Sequence, residues 1–172
     1  MSTFSIHLLN SNVHRRETFD CGVVELNRYL KEQAGQDMRR MASGCWVMSD
    51  ERDPERILGF YTLSPESVES QSLPEMESAI RKKIPNYRRL GAILLGRLAV
   101  DRHYQGQGIG ERLLFDAFHR AHRAEIPSVL MVTDPKDAKA EAFYVKYGFE
   151  RLNSERLFLP MFRISKLLES AD

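Results

Sequence analysis

The stretch "RHYQGQGIGERLL", residues 102 to 114, limits the possible folds more than any other part of this chain, because Gly106, Gly108 and Gly110 stand at alternate positions within it. The apolar run "AILLGRLAV" precedes it, and Ile109, Leu113, Leu114, Ala117, Phe118 and Ala121 then recur on one helical face. The run reads as a strand too apolar to have one face in water. It should therefore lie centrally, with Gly96 permitting a bulge or a close backbone approach. A central strand that stops, turns without side chains and starts an amphipathic helix points to an α/β layered domain.

The remaining segments fit that class. "SVLMVT" reads as a second buried strand, and Asp137 to Tyr147 as a helix ended by Gly148, the residue best suited to a left-handed position after a helix. Asp137 is either an acid of the site or the helix N-cap, and the cap is the reading adopted. "RLFLPMF" closes the sheet, with Pro160 better tolerated at an edge or bulge than at its centre. Upstream, "FSIHLL" reads as a strand and "GVVELNRYLKEQAGQDMRRM" as a helix. "GCWVMS" and "RILGFYTLS" read as a hairpin joined through "DERDPE". Residues 65–92 carry at most a short helix in "LPEMESAIRKKI" before an irregular connection.

Residues 1–172 are expected to form a single domain, since that length with 42% hydrophobic and 28% charged residues is ordinary for one globular unit. The net charge of +1 excludes a global field for nucleic acid or membrane, so any polyanion must meet a local cluster. Cys21 and Cys45 lack metal-ligand spacing, and no secretory hydrophobic region is visible, so a cytoplasmic location is expected. No apolar run approaches the roughly 18 residues of a membrane span. His119 and His122 sit on the polar face of their helix without a third ligand nearby, and no metal is expected.

Glycines at 106, 108 and 110 remove Cβ atoms where backbone N–H groups can converge, and the helix that follows begins with unpaired donors and partial positive charge. That combination suits a pyrophosphate, although a plain glycine-rich turn has the same composition. A dinucleotide site would want an acid about 20 residues farther on, and a P-loop would want Gly-Lys-Ser or Gly-Lys-Thr. Asp134 comes too late for the first, and the second is absent.

"GRLAVDRHYQGQGIGERLL" resembles the acetyl-coenzyme A signature of the GNAT acetyltransferases, Gln/Arg-x-x-Gly-x-Gly/Ala, here Gln105-Gly106-Gln107-Gly108-Ile109-Gly110. "AEAFYVKYGFERL" resembles the same family's later helix with its Tyr-Gly-Phe ending. The resemblance implies a GNAT (acyl-CoA N-acyltransferase) fold, a mixed central sheet flanked by helices. It also implies acetyl-CoA as cosubstrate, held at the pyrophosphate by the loop and at the pantetheine arm by the backbone of Leu98, Ala99 and Val100. "FDCGVVELNRYLKEQAGQDMRR", "GFYTLSPESV", "LLGRLAVD" and "LFLPM" are together similar to acetyltransferase toxins of type II toxin and antitoxin pairs. That likeness implies acetylation of the amino acid on charged tRNA, a ribbon-helix-helix antitoxin as partner, and a homodimer. Alternatives of the same or another class are transfer to a small amine or peptide amine, and a coenzyme-binding module without turnover.

Resemblance aligns Tyr144 with the tyrosine that many family members place beside the sulfur, whereas its neighbours Phe143 and Tyr147 alone would make it a core aromatic. A phenol near pKa 10 is about 2 kcal/mol too weak an acid to protonate a thiolate of pKa near 8.5 outright, so a strong hydrogen bond is the expected contribution. Arg97 stands where some family members carry a Glu, and a guanidinium cannot accept the amine's proton. A base-free or water-relayed route suits an α-amino group better than a lysine of pKa about 10.4. Arg81, Lys82, Lys83, Arg88 and Arg89, with Arg39 and Arg40, are either solvated faces or the phosphate contacts of a tRNA substrate, and Arg97 joins them as a candidate.

Overall fold

The computed structural model describes residues 3–171. Among these, strands β1 (Phe4–Leu8), β2 (Gly44–Asp50), β3 (Gly59–Glu69), β4 (Arg89–Val100), β5 (Leu130–Thr133), β6 (Glu150–Arg151) and β7 (Leu157–Pro160) form one mixed sheet. Their order is β1-β2-β3-β4-β5-β7-β6, with the apolar run of β4 in the middle. The helices are α1 (Val24–Arg28), α2 (Ala34–Arg39), α3 (Ser78–Arg81), α4 (Ile109–His122), α5 (Ala138–Lys146) and α6 (Met161–Ala171). No helix among the described residues is long and apolar enough to cross a membrane.

The chain folds as two compact units, the first running to Ser64 and taking in Gly96–Ala117. Its β1, β2 and β3 pair antiparallel, with Ile6 opposite Met48 and Trp46 opposite Tyr61, so alternate side chains reach a core of Leu9, Phe19, Leu30, Val47, Ile57 and Phe60. The hairpin expected between β2 and β3 is present. β3 starts at Gly59, later than "RILGFYTLS" implies, because Asp53 and Arg56 donate their amides to the Asp50 and Asp53 carbonyls and close a turn first. A Cβ on Gly59 would stand 2.7 Å from Leu113 Cδ1 and 2.9 Å from the Ala99 carbonyl, so bare backbone is what lets α4 approach the sheet here. The single helix expected over residues 22–41 is interrupted. A π-helical turn, Tyr29–Gln33, separates α1 from α2, and Tyr29, Leu30, Ala34 and Gly35 are buried across it.

The second unit comprises Pro65–Leu95 and the chain from Phe118 onward. Val68, Ile84, Leu90, Ala92, Leu130, Val132 and Phe158 make its core. β4 and β5 run parallel, with Ala92 opposite Leu130 and Leu94 opposite Val132. The segment "RLFLPMF" does not close the sheet as expected. β7 lies between β5 and the short edge strand β6, which pairs with only Leu157 and Phe158. Pro160 stands past the end of that pairing, so on the β6 side its missing N–H breaks no ladder. The helical expectation for residues 73–84 shrinks to the single turn of α3, and α6, which buries Ile164 and Leu168, was not anticipated.

Candidate functional site

In the first unit, the end of β4 leads into the glycine loop through Asp101, which is 2% exposed. Its carboxylate accepts the backbone amide of Asp20 at 3.1 Å, that of His103 at 3.0 Å and the His103 ring Nδ1 at 2.9 Å. A buried carboxylate collecting donors in this way locks the turn of residues 102–104 onto the segment at Asp20. Arg102 strengthens the same junction, donating its amide to the Asp20 carbonyl at 2.9 Å and placing a guanidinium nitrogen 3.1 Å from the Asp20 carboxylate. The Gly22 amide and the Asn27 side chain, with Arg102 contributing less, hold the Asp20 carboxyl below its ordinary range. Nothing in the glycine spacing announced Asp101. The available signal was a short acid between a strand and a turn, the position of an Asx turn.

Gly106 and Gly108 adopt φ of +76° and +77°, whereas Gln107 between them does not have positive φ. Alternating handedness curls successive amides toward one side, the arrangement that makes an anion-binding nest. A Cβ at either glycine would meet nothing within 4 Å, so φ and not space demands glycine here. Ile109 is buried and starts α4, whose first amides have no helical partner one turn back, and Gly110 lies in that first turn. The Gln105 side-chain amide donates to the carbonyls of Val100 at 2.9 Å and Cys21 at 3.2 Å, bracing the loop against the strand end. Gln107 donates to the His103 carbonyl at 3.3 Å. Leu98 and Val100 are half-buried and Ala99 buried, all on the last turn-ward residues of β4. Residues 105–110 thus combine backbone donors, glycines at 106, 108 and 110, and a helix start behind them, an arrangement that could hold an anion.

In the second unit, Tyr144 lies on α5 and is buried. Phe143 and Phe149 each stand 5.3 Å from its ring at edge-on angles. Burial pushes the phenol up to about 12, and a hydrogen bond with the Thr133 side chain pulls the other way. The Thr133 hydroxyl donates to the Leu95 carbonyl at 2.8 Å, so the end of β5 is tied to β4. Asp137 caps α5, its carboxylate accepting the Ala140 amide at 2.8 Å, and Gly148 ends the helix at φ +100°. Lys136 first, then that amide, lowers the Asp137 carboxyl. Arg156, unmarked in the sequence reading, makes a two-pronged bond to Asp134 at 2.7 and 2.9 Å and reaches Glu66 at 3.2 Å.

The basic candidates fall into different settings. Arg39 and Arg40 are exposed at the end of α2. Arg97 is half-buried, its Cζ 3.5 Å from the centroid of the Tyr29 ring. Arg88 and Arg89 meet the Glu69 carboxylate at 3.7 and 3.1 Å, an acid contributed by β3 that the local sequence did not reveal. Arg81 donates to Ser70 Oγ at 2.8 Å, Lys83 lies 5.0 Å from the Phe162 ring centroid, and Lys82 is exposed. On the polar face of α4, His122 is exposed, whereas His119 is half-buried. Among the described residues no three metal-ligating side chains come together.

The Acetyltransferase (GNAT) domain family matches residues 42–151, a span that includes the nest and Tyr144. A tRNA-acetylating toxin of Mycobacterium tuberculosis is 34% identical over 161 residues, covering 92% of each chain. The solved structure of AtaT complexed with acetyl-methionyl-tRNAfMet is 29% identical, with a TM-score of 0.85 over 96% of this chain and 99% of that one. A mutant AtaT toxin bound to the C-terminus of the antitoxin AtaR and acetyl-CoA is 25% identical, with a TM-score of 0.79 over 95% of this chain and 97% of the other. The family match over most of the chain, which includes the loop of alternating handedness, establishes that this chain belongs to the GNAT acetyltransferases.

Proposed function

We propose that this protein uses acetyl-CoA to acetylate the α-amino group of the amino acid on charged tRNA, and so acts as a toxin that blocks translation. The observation that carries this reading is near full-length similarity to a tRNA-acetylating toxin, joined to a glycine loop of alternating handedness. The amides of residues 105–110 hold the diphosphate, the backbone of Leu98, Ala99 and Val100 holds the pantetheine arm, and the bound coenzyme supplies an activated acetyl thioester. Tyr144 donates a hydrogen bond to the sulfur as the carbon–sulfur bond breaks. With the phenol pushed up to about 12, outright protonation of a thiolate near 8.5 would be uphill by about 5 kcal/mol. Arg97 cannot act as base, and a base-free or water-relayed loss of the amine's proton suits an α-amino group. Arg39, Arg40, Arg81, Lys82, Lys83, Arg88, Arg89 and Arg97 are candidates for phosphate contacts, those already paired with Glu69 being the weakest. The protein is further proposed to work in the cytoplasm as a homodimer held in check by a ribbon-helix-helix antitoxin.

Labelled acetyl-CoA offered in parallel with charged tRNA, deacylated tRNA, peptides and polyamines tests the acceptor. Label is expected on charged tRNA alone, and label on peptides or polyamines instead would refute the proposal. Tyr144→Phe is expected to lower the rate by about 10²- to 10⁴-fold while calorimetric binding of acetyl-CoA is retained. An unchanged rate would remove Tyr144 from the chemistry.

A further inference from the structure

Thr133 is the last residue of β5 and is 2% exposed. The register of β4 against β5 runs as far as Leu94 opposite Val132. One residue farther along, the Thr133 hydroxyl donates to the Leu95 carbonyl at 2.8 Å, so a side chain extends the link between the two strands. A threonine hydroxyl has one hydrogen and two lone pairs, and here the hydrogen is engaged by Leu95. What Thr133 still offers, inside the protein, is an acceptor.

Tyr144 meets that hydroxyl from α5. Phe143 and Phe149 fix its ring edge-on, each 5.3 Å away, and its carbonyl accepts the amides of Tyr147 at 3.0 Å and Phe149 at 3.3 Å, so ring and backbone are both held. Because the hydrogen of Thr133 lies on Leu95, the phenol is the donor of the pair. Its own hydrogen therefore points at Thr133 in the free protein and must turn away to reach a sulfur. A hydroxyl turns readily about its C–O bond, so Thr133 can then leave Leu95 and donate to the phenol oxygen, where negative charge gathers. Among the described residues no charged group shifts this phenol: burial raises it, and Thr133 is the one side chain that lowers it.

We propose that Thr133 is a positioning residue for acetyl transfer: its buried hydroxyl, anchored on the Leu95 carbonyl, aims the Tyr144 phenol and strengthens it as a hydrogen-bond donor to the coenzyme sulfur. This rests on Tyr144 standing at the sulfur. No proton leaves Thr133. Its hydrogen changes acceptor, from the Leu95 oxygen to the phenol oxygen, while the hydrogen of the phenol turns from Thr133 to the sulfur.

Steady-state rates are measured with acetyl-CoA and the acceptor that the labelling assay identifies, for wild type, Thr133→Val, Thr133→Ser, Tyr144→Phe and the double variant Thr133→Val/Tyr144→Phe. Valine keeps the shape of threonine without the hydroxyl, and serine keeps the hydroxyl. Thr133→Val is expected to lower kcat by about three- to tenfold with KM for acetyl-CoA unchanged. Thr133→Ser should restore the wild-type kcat, and the double variant should be no slower than Tyr144→Phe, since Thr133 acts through the phenol. In wild type alone, NMR should show the Tyr144 hydroxyl proton in slow exchange with a nuclear Overhauser contact to Thr133. Absence of that contact would overturn the proposal even if Thr133→Val does not fold. So would a folded Thr133→Val with wild-type kcat, a fall that serine does not reverse, or a fall that slows Tyr144→Phe further, each leaving the Tyr144 assignment standing. A wild-type rate in Tyr144→Phe would overturn that assignment, and the role of Thr133 with it.

Discussion

Gly108 and Tyr144 depend on opposite properties of their surroundings. Gly108 needs nothing near it, since a side chain would meet empty space, yet its φ of +77° excludes β-branched residues. Gly108→Val is therefore expected to cost roughly 1 to 3 kcal/mol of backbone strain or to flip the loop out of its nest. Calorimetry should show acetyl-CoA affinity falling by at least about tenfold, and wild-type heat from this variant would remove the loop from coenzyme binding. The glycine was legible in the sequence because handedness is a property of one residue. Asp101 was not, because its importance comes from Asp20, which lies 81 residues away in the chain.

At the scale of elements, the meeting of α4 with the sheet turns on Gly59. Adding one methyl group there places a carbon 2.7 Å from Leu113 Cδ1 and 2.9 Å from the Ala99 carbonyl, and a backbone oxygen cannot swing aside. Gly59→Ala should destabilise the protein by about 1 to 3 kcal/mol through overpacking. Acetyl-CoA binding should weaken with it, because α4 begins at the loop and Ala99 belongs to the strand end that braces it. A thermal melt superimposable on wild type would show that α4 has slack at this contact. Helix α4 and the cap of α5 could be read from the sequence, their apolar face and capping acid being local patterns. The π-helical turn could not, since the choice between α and π geometry follows from how Tyr29, Leu30, Ala34 and Gly35 share one buried side.

The whole molecule carries a pH signature. Burial raises Tyr29, Tyr144 and the Cys45 thiol each to about 12, from ordinary values of 10, 10 and 9. The unfolded chain releases these protons first as pH rises, so the folded state's advantage is full below about pH 9 and is lost progressively as pH climbs through 12. Thermal midpoints measured from pH 8 to 11 should fall on the alkaline side, and Tyr144→Phe should fall less steeply. An equally steep fall in that variant would show that the phenol is not held neutral by folding.

Local chemistry alone determined the glycine loop, the amphipathic helix behind it, the capping acid at Asp137 and the central apolar strand, because handedness, capping and periodicity act within a few residues. Tertiary structure decided which arginines meet an acid and which do not, the ionisation of Tyr144, the edge position of β6 and the role of Gly59. Each of these depends on groups brought together from distant parts of the chain, and desolvation and charge pairing exist only once that approach has been made.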